Sequence, residues 1–557
     1  MKLKKYFTIL LSVGLLSSCN FMDVNESDYY SLGEIQGSYN RVKQFVTNVY
    51  SYLPSDFCSI DGAMMDAATD DAIHIYETSN IQRFVNGTWS ANYTVDDKFS
   101  TYYNGIHDAN FFLENLTGLT FDSWKENESY EDWIETYSYF EPEMRFLRAY
   151  FYFELVRRYQ NIPLITKVMT MEEANSTQPA TASQILDFII SECEAIAYEL
   201  PISYASVAGA EKGHATRATA LALKARAALY AASPLYNTNN DNNKWVTAAE
   251  AAYEIIGNSS ELGLALDASF SNVFGATNYN SKEVILVRAT GTSSNFESAN
   301  FPMGVQGGKT TTCPTENLAS AFEMKDGTAF DWNNTAMRED PYKDRDPRFY
   351  LTIVHNGMAW PSTKAVEIWE GGANGLPLTN ATTTGYYLRK YVDKSITFDA
   401  GSASANTNHN WVLFRYAEVL LNYAEAMVNA YGDINRTTAN CAMSALDAVN
   451  AVRGRTGVKM PALPGNLSAT DFLKRVKNER RVELAFEGHR FWDLRRWKEL
   501  DESKNIYAVK ITKNGDAISY KKTTLDSRTI EDKLYFYPIA NTELFKNDNL
   551  KQNPGWD

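Results

Sequence analysis

The sequence predicts a mainly α protein: a tetratricopeptide-like helical solenoid scaffold with a large irregular region of loops and short strands packed on it. Three observations predict it. Runs of roughly 12 to 20 residues with apolar side chains at three- and four-residue steps recur in both halves of the chain. One run is alanine-rich, and small residues let helix axes approach closely, as in stacked helical hairpins. Between the two helical stretches lies a long segment rich in Gly, Thr, Asn and Pro, which cannot stabilise itself by helix packing. No clean repeat of ~34 residues is present, so the solenoid assignment rests on successive helices and short turns.

Taken in order, Met1 to Cys19 opens with Lys2, Lys4 and Lys5, runs apolar from Tyr6 to Leu16 and ends Leu16-Ser17-Ser18-Cys19. A basic start, a short apolar core and small residues before the cut describe a secretory signal. The core falls short of the ~20 residues that a membrane span needs. A cysteine directly after the small residues marks a bacterial lipoprotein signal, with cleavage leaving Cys19 first and acylated. At ~0.8 kcal/mol per buried methylene, two or more acyl chains give near-permanent attachment to membrane lipid. Residues Asn20 to about Gly37 are polar and read as a tether.

Phe140 to Tyr159 places Met144, Leu147, Phe151 and Leu155 on one helical face and stops at Asn161-Ile162-Pro163. His214 to Ala232 is the alanine-rich helix, and Trp245 to Ile256 is a shorter one. Helices are predicted again over Val412 to Ala430, Cys441 to Arg453 and Asp471 to Glu487. From about Leu262 to Asn410 only brief β-like runs occur, such as Val284 to Arg288 and Phe349 to Val354. Long ordered loops are usually functional, so the working surface is expected there and in Asp61 to Asn104.

Composition narrows the function. The formal charge is -15, and falls to -18 when Lys2, Lys4 and Lys5 leave with the signal. An acidic chain repels phosphate backbones, which disfavours nucleic acid. Aromatic residues make 13% of the chain; most are expected in the core, with a minority on the surface as flat platforms. Beyond Cys19, Cys58, Cys193, Cys313 and Cys441 are too far apart for a zinc ribbon or a redox pair. Free thiols are expected at Cys58, Cys193 and Cys441.

Catalytic and metal motifs fail one by one. The six histidines show no HExxH spacing. There is no GxSxG elbow. Gly308-Lys309-Thr310 lacks the glycine a phosphate loop needs at position 303, which is Met303. Asp70-Asp71 and Asp96-Asp97 are adjacent pairs, whereas glycoside hydrolysis needs carboxylates ~5 to 9 Å apart across a substrate. Asn237 to Asn243 lacks the glycine and terminal glutamate of a calcium loop. No cofactor and no metal are expected. The Arg- and Lys-rich segment Lys474 to Lys498 carries Glu479, Glu483 and Glu487 at four-residue steps, so its charges are expected to balance within the helix as a structural network.

Asn478 to Trp497 (NERRVELAFEGHRFWDLRRW) resembles the most recognisable stretch of the SusD/RagB outer-membrane lipoproteins of Bacteroidetes. Further matches are Arg145 to Tyr150 with Ile162-Pro163-Leu164, Cys313 to Leu318 with Met324 to Gly327, and Arg345 to Phe349. Arg415 to Leu421, Tyr537-Pro538-Ile539 and Asn553 to Trp556 complete the set. The resemblance spans essentially the whole chain after the signal. It implies a lipid-anchored, non-enzymatic protein that closes a SusC-like TonB-dependent barrel, captures glycan fragments and hands them to the transporter. One departure is noted: the acidic run that often follows the acylated cysteine is thin here, with only Asp23 and Glu26. The layout is then a signal at 1–18, a lipidated tether at 19–37 and one domain at 38–557. Within it, helical scaffold is expected at 38–261 and 411–500 and the ligand-binding region at 262–410.

Sugars are held by stacking on aromatic rings, with Asp, Asn and Arg bridging hydroxyls. The candidates are Trp89, in the polar run Asn86 to Tyr93, with Trp332 and Trp360 as further platforms. Asp70 and Asp71 are candidate acceptors and Arg389 a candidate donor. Tyr416 is expected near Arg389 if the solenoid brings them together, and Cys313 opens a Pro-Thr turn in the same region. The expected ligand is an oligosaccharide, with a fructan or hemicellulose as the suggested class. A peptide-binding or purely structural lid, as among RagB relatives, is the alternative.

Overall fold

A computed structural model describes residues 30–207, 213–399 and 401–556; Cys19 and the signal lie outside the described residues. The helices run α1 (Tyr39–Tyr50), α2 (Phe99–Asn115), α3 (Phe140–Tyr159), α4 (Ala182–Ile196), α5 (Arg217–Ala232), α6 (Asn242–Gly257), α7 (Tyr416–Tyr431), α8 (Ala445–Arg453), α9 (Ala469–Glu483) and α10 (Arg490–Arg496), joined by shorter turns of helix. From α2 to α7 each packs on the next, and α7 also carries α8 and α9. The predicted helix-rich, tetratricopeptide-like scaffold is therefore present. Helix α6 lies directly against α7 although residues 258–415 intervene, so the irregular region is an insertion into a continuous helical stack.

Local chemistry explains the boundaries. Helix α3 is buried nearly all round and forms the centre of the scaffold. Glu141 and Glu143 in its first turn and Arg157 and Arg158 in its last suit the helix dipole. Thr181 and Gln184 form a capping box on α4. Asp241 caps α6, and Gly432, at φ +66°, ends α7 in the left-handed conformation glycine favours.

Among the described residues the short strands form six antiparallel pairs. Four strands matter below: β1 (Ala72–His74) pairs with β3 (Thr312–Pro314), and β2 (Val284–Ser293) pairs with β4 (Thr407–Arg415). A final hairpin, β5 (Asn505–Asn514) with β6 (Ala517–Ser527), follows the last helices of the scaffold. Three sequence expectations differ from the structure. Val412 to Arg415 extends the strand before α7, because this stretch pairs with β2. Phe349 to Thr352 is helical, started by Asp346 and Pro347 at the helix N-terminus, and only Ile353–Val354 is extended. The end of the expected tether, Leu32–Gln36, is a short helix closed by a Ser31–Glu34 capping box.

The segment around α9 does form a structural network, but its glutamates pair with other elements; within the helices there are the exposed Lys474–Asp471 pair and Arg496–Asp493. Glu483 accepts hydrogen bonds from Arg348 (2.8 Å), Arg415 (2.8 Å) and Arg455. Glu479 joins Arg348 and Arg453, both at 2.6 Å. Glu487 joins Arg415 at 2.6 Å and Lys390 at 2.7 Å, while Glu283 joins Arg415 at 2.7 Å and Arg455 at 3.0 Å. All these side chains are buried. Burial opposes ionisation of Glu483, yet Arg455, Arg415 and Arg348 together hold its carboxyl well below the usual range. Arg348, Lys390 and Glu283 belong to the insertion and the others to the scaffold or its edge, so the network fastens one to the other.

Removing one member leaves several buried charges without a counter-ion. Glu483→Ala is expected to lower unfolding free energy by about 3–5 kcal/mol, read as a fall in urea midpoint at pH 7.

Candidate functional site

The two segments expected to form the working surface do meet. Pairing of β1 with β3 sets Ala72 opposite Pro314 and His74 opposite Thr312, joining the Asp61–Asn104 region to the insertion. At this junction the chain builds an open polar and aromatic surface. The main-chain N–H of Tyr76 donates to His74 Nδ1 (3.1 Å), which places the ring proton on Nε2, facing the Asp61 carbonyl at 3.1 Å. Burial lowers the His74 pKa and keeps the imidazole neutral. The half-buried Tyr76 ring lies 5.1 Å from that imidazole, and its hydroxyl reaches the Lys309 carbonyl at 3.4 Å.

Around Tyr76 stand groups suited to hydroxyls. One Asp61 carboxylate oxygen accepts from the Ser79 hydroxyl (3.0 Å) and the Asn80 N–H (2.6 Å). Among the described residues its other oxygen accepts no hydrogen bond, and the exposed Lys309 ammonium pairs with no carboxylate. Further along the same surface, Arg83 lies 5.2 Å over the exposed ring of Tyr93, and Gln82 donates to the His74 carbonyl at 2.9 Å. The sequence pointed to these segments without singling out Tyr76, Asp61, Asn80 or Lys309. The available signal was Ala72-Ile73-His74-Ile75-Tyr76, an alternation that sets His74 and Tyr76 on one face.

The residues singled out from sequence have mixed fates. Trp89 is 3% exposed and packs between Phe84 (4.6 Å), Tyr537 (4.7 Å) and Trp556 (5.0 Å). It is a core ring with no face open to a sugar. Asp70 and Asp71 are also buried, and both are ion-paired. Arg490 donates to Asp70 at 2.9 and 3.0 Å, and Arg481 donates to Asp70 at 2.8 Å and to Asp71 at 2.7 Å. Burial alone would raise the Asp70 pKa; the two arginines outweigh it and hold it at about 2. These aspartates anchor the N-terminal region to α9 and α10 and do not face ligand. Cys313 is buried inside β3, and burial pushes its thiol up to about 12. Tyr416 is buried at the start of α7, where its N–H donates to the Glu283 carbonyl at 2.8 Å, and it does not reach Arg389's surroundings. Cys58, Cys193, Cys313 and Cys441 are all free thiols.

Trp332 and Arg389 remain accessible in part, whereas Trp360 is buried, 5% exposed, and offers no open face to a sugar. Trp332 is half-buried, edge-on to Phe330 at 5.5 Å, and its indole N–H donates to Glu316 at 2.7 Å. Trp360 and Arg389 do come together, with the guanidinium 4.9 Å from the indole centroid, in the wall of a cavity of about 320 Å³.

With this geometry in hand, comparison with known proteins gives the class. Residues 279–556 match the model of the SusD family, and residues 20–229 match a model described as starch-binding and associating with the outer membrane. The chain belongs to the SusD/RagB family. SusD-like protein P2 of Formosa agariphila is 26% identical over 434 residues, 74% of this chain and 73% of that protein. A SusD-like protein of Bacteroides fragilis is 28% identical, with a TM-score of 0.75 over 94% of this chain and 98% of its own. A SusD-like carbohydrate-binding protein of the same species is 26% identical, with a TM-score of 0.75 over 93% of this chain and 100% of its own. No helix among the described residues is long and apolar enough to cross a membrane.

Since Trp89 is a core ring, Trp89→Ala is expected to destabilise the fold by about 3–5 kcal/mol. Urea unfolding followed by fluorescence measures this, and sugar affinity of the folded fraction should stay unchanged.

Proposed function

We propose that this chain is a non-catalytic glycan-binding lipoprotein of the outer membrane, which captures oligosaccharides and passes them to a SusC-like TonB-dependent transporter. The observation that carries the reading is the Tyr76 surface. There a partly exposed ring packs on His74 and reaches the Lys309 main chain, in a region that also carries a free Asp61 carboxylate oxygen, the Asn80 amide N–H groups and the exposed Lys309 side chain. An aromatic face takes the C–H side of a pyranose or furanose ring, and the flanking groups take its hydroxyls. Asp61 accepts, while Asn80 and Lys309 donate. The carbohydrate-binding relative and the starch-binding description of the matched model support the same reading. Acylation of Cys19 anchors the chain to lipid, and the outer face of the membrane is the natural side for capture. A fructan or a hemicellulose fragment is the proposed ligand class.

A second reading, a lid whose main work is protein contact, is favoured by one feature. Met171 and Phe545 are 81% and 84% exposed, and Met171 belongs to a groove of about 390 Å³ that includes Tyr103, Met169 and Leu550. Apolar side chains this exposed are of the kind a second protein covers. The two readings are compatible, because a protein that delivers sugar must also dock.

Calorimetry of the folded chain against neutral oligosaccharides tests the proposal. Tyr76→Ala is expected to weaken the bound sugar by roughly 1–2 kcal/mol without moving the thermal midpoint. Unchanged affinity in that variant removes the platform from this surface, and binding to peptides alone favours the lid.

A further inference from the structure

The cavity that contains Trp360 and Arg389 differs in chemistry from the Tyr76 surface. Most buried arginines of the insertion and scaffold are neutralised by carboxylates: Arg348, Arg415, Arg453, Arg455, Arg480 and Arg496 all have ion pairs of 2.9 Å or shorter. Arg389 has none. It is half-buried, its Nη1 donates to the Tyr350 carbonyl, and no carboxylate comes within ion-pairing distance among the described residues. Its ordinary pKa is lowered by desolvation, with no anion offsetting it. A cation held in this state gains most from a ligand that brings the missing charge.

The side chain is also held in place before any ligand arrives. Its guanidinium lies over the Trp360 indole at 4.9 Å, and its backbone N–H donates to Thr352 at 3.0 Å. The next residue, Lys390, is locked into the buried ionic network through Glu487 (2.7 Å) and the Ala485 carbonyl (2.7 Å). Trp360 is therefore a support for Arg389 and not an open platform.

The other ionisable groups around the cavity are Lys390, Lys394, Asp393 and His409. Lys390 is neutralised by Glu487, and His409 is paired with Glu297 at 3.0 Å. Lys394 is exposed and has no ion pair among the described residues. Asp393 is the one carboxylate on the wall, and its Oδ1 already accepts from the Ser395 N–H (2.9 Å) and hydroxyl (2.6 Å). At the start of β4 the Thr407 hydroxyl hydrogen-bonds to Asp393, Asn408 adds a neutral amide, and Phe274 closes the apolar side. This arginine-bearing cavity sits in a chain whose formal charge is -15.

We infer that the Arg389 cavity binds an anionic sugar unit, its carboxylate or sulfate on the Arg389 guanidinium and its hydroxyls on Asn408. The volume of about 320 Å³ suits one monosaccharide. The inference rests on the glycan-capture reading and sharpens it. A fructan carries no such charge, whereas a hemicellulose with uronate branches does.

The test is ligand-observed NMR titration of the folded chain with galacturonate, glucuronate and glucose 6-sulfate, beside neutral galactose and glucose. The acidic sugars are expected to bind more tightly than their neutral counterparts, and the advantage to shrink as salt rises. Arg389→Gln is expected to weaken the acidic sugars on the order of tenfold or more and leave neutral oligosaccharide affinity at Tyr76 intact. Lys394→Gln, an exposed substitution that leaves the fold unaltered, should weaken them by about two- to threefold. Preference among the probes tells carboxylate from sulfate. Equal binding of charged and neutral sugars, or acidic-sugar affinity unmoved by both substitutions, overturns the inference. Loss of neutral binding in Tyr76→Ala with acidic binding retained upholds both sites. Acidic binding without any neutral binding upholds this cavity and rejects the Tyr76 platform.

Discussion

The buried carboxylate of Glu483, shared by three arginines, is the constraint on which the rest of this structure depends. Desolvating so many charges is expensive, and apolar residues of similar volume often stabilise a core as well or better. What an ionic core supplies is geometry: each guanidinium accepts only a narrow range of positions for its carboxylate partners. Here the partners come from α9, from the strand leading into α7, from the end of α8 and from the insertion. A region rich in loops is thereby fixed against helices that would stack without it.

The functional surfaces hang from that frame. Lys390 belongs to the network and Arg389 is its neighbour in sequence, so the position of the Arg389 guanidinium is tied to the core. Asp70 and Asp71, bound by Arg481 and Arg490, fix the segment that continues into β1 and Tyr76. Both candidate sugar surfaces therefore stand on loops, while their placement is set by buried ion pairs to α9, α10 and the turn between them. This is the division that ligand capture needs, with variable contact residues on a rigid support.

Legibility from sequence followed the range of the interactions. Helix α3 was readable to both ends, because its apolar spacing and the Pro163 that follows are local signals. Trp89 was misread because its neighbours in sequence are polar, while the rings that bury it, Tyr537 and Trp556, lie at the far end of the chain. The aspartate pair was misread for the same reason, since Arg481 and Arg490 are remote. The charge pattern of α9 was readable as structural, but not the partners of its glutamates, which no spacing rule supplies. Trp360 and Arg389 were singled out separately by residue type, and only the fold shows that one supports the other.

The central claim is that the ionic network holds the insertion to the scaffold. Hydrogen–deuterium exchange on Arg415→Met, at neutral pH and compared with the unsubstituted chain, tests it most directly. That substitution keeps an unbranched side chain and removes the cation shared by Glu283, Glu483 and Glu487. The account predicts faster exchange across residues 344–392 and β4, with α2 to α6 as protected as before. Protection lost evenly over the whole chain, or retained throughout the insertion, would contradict it.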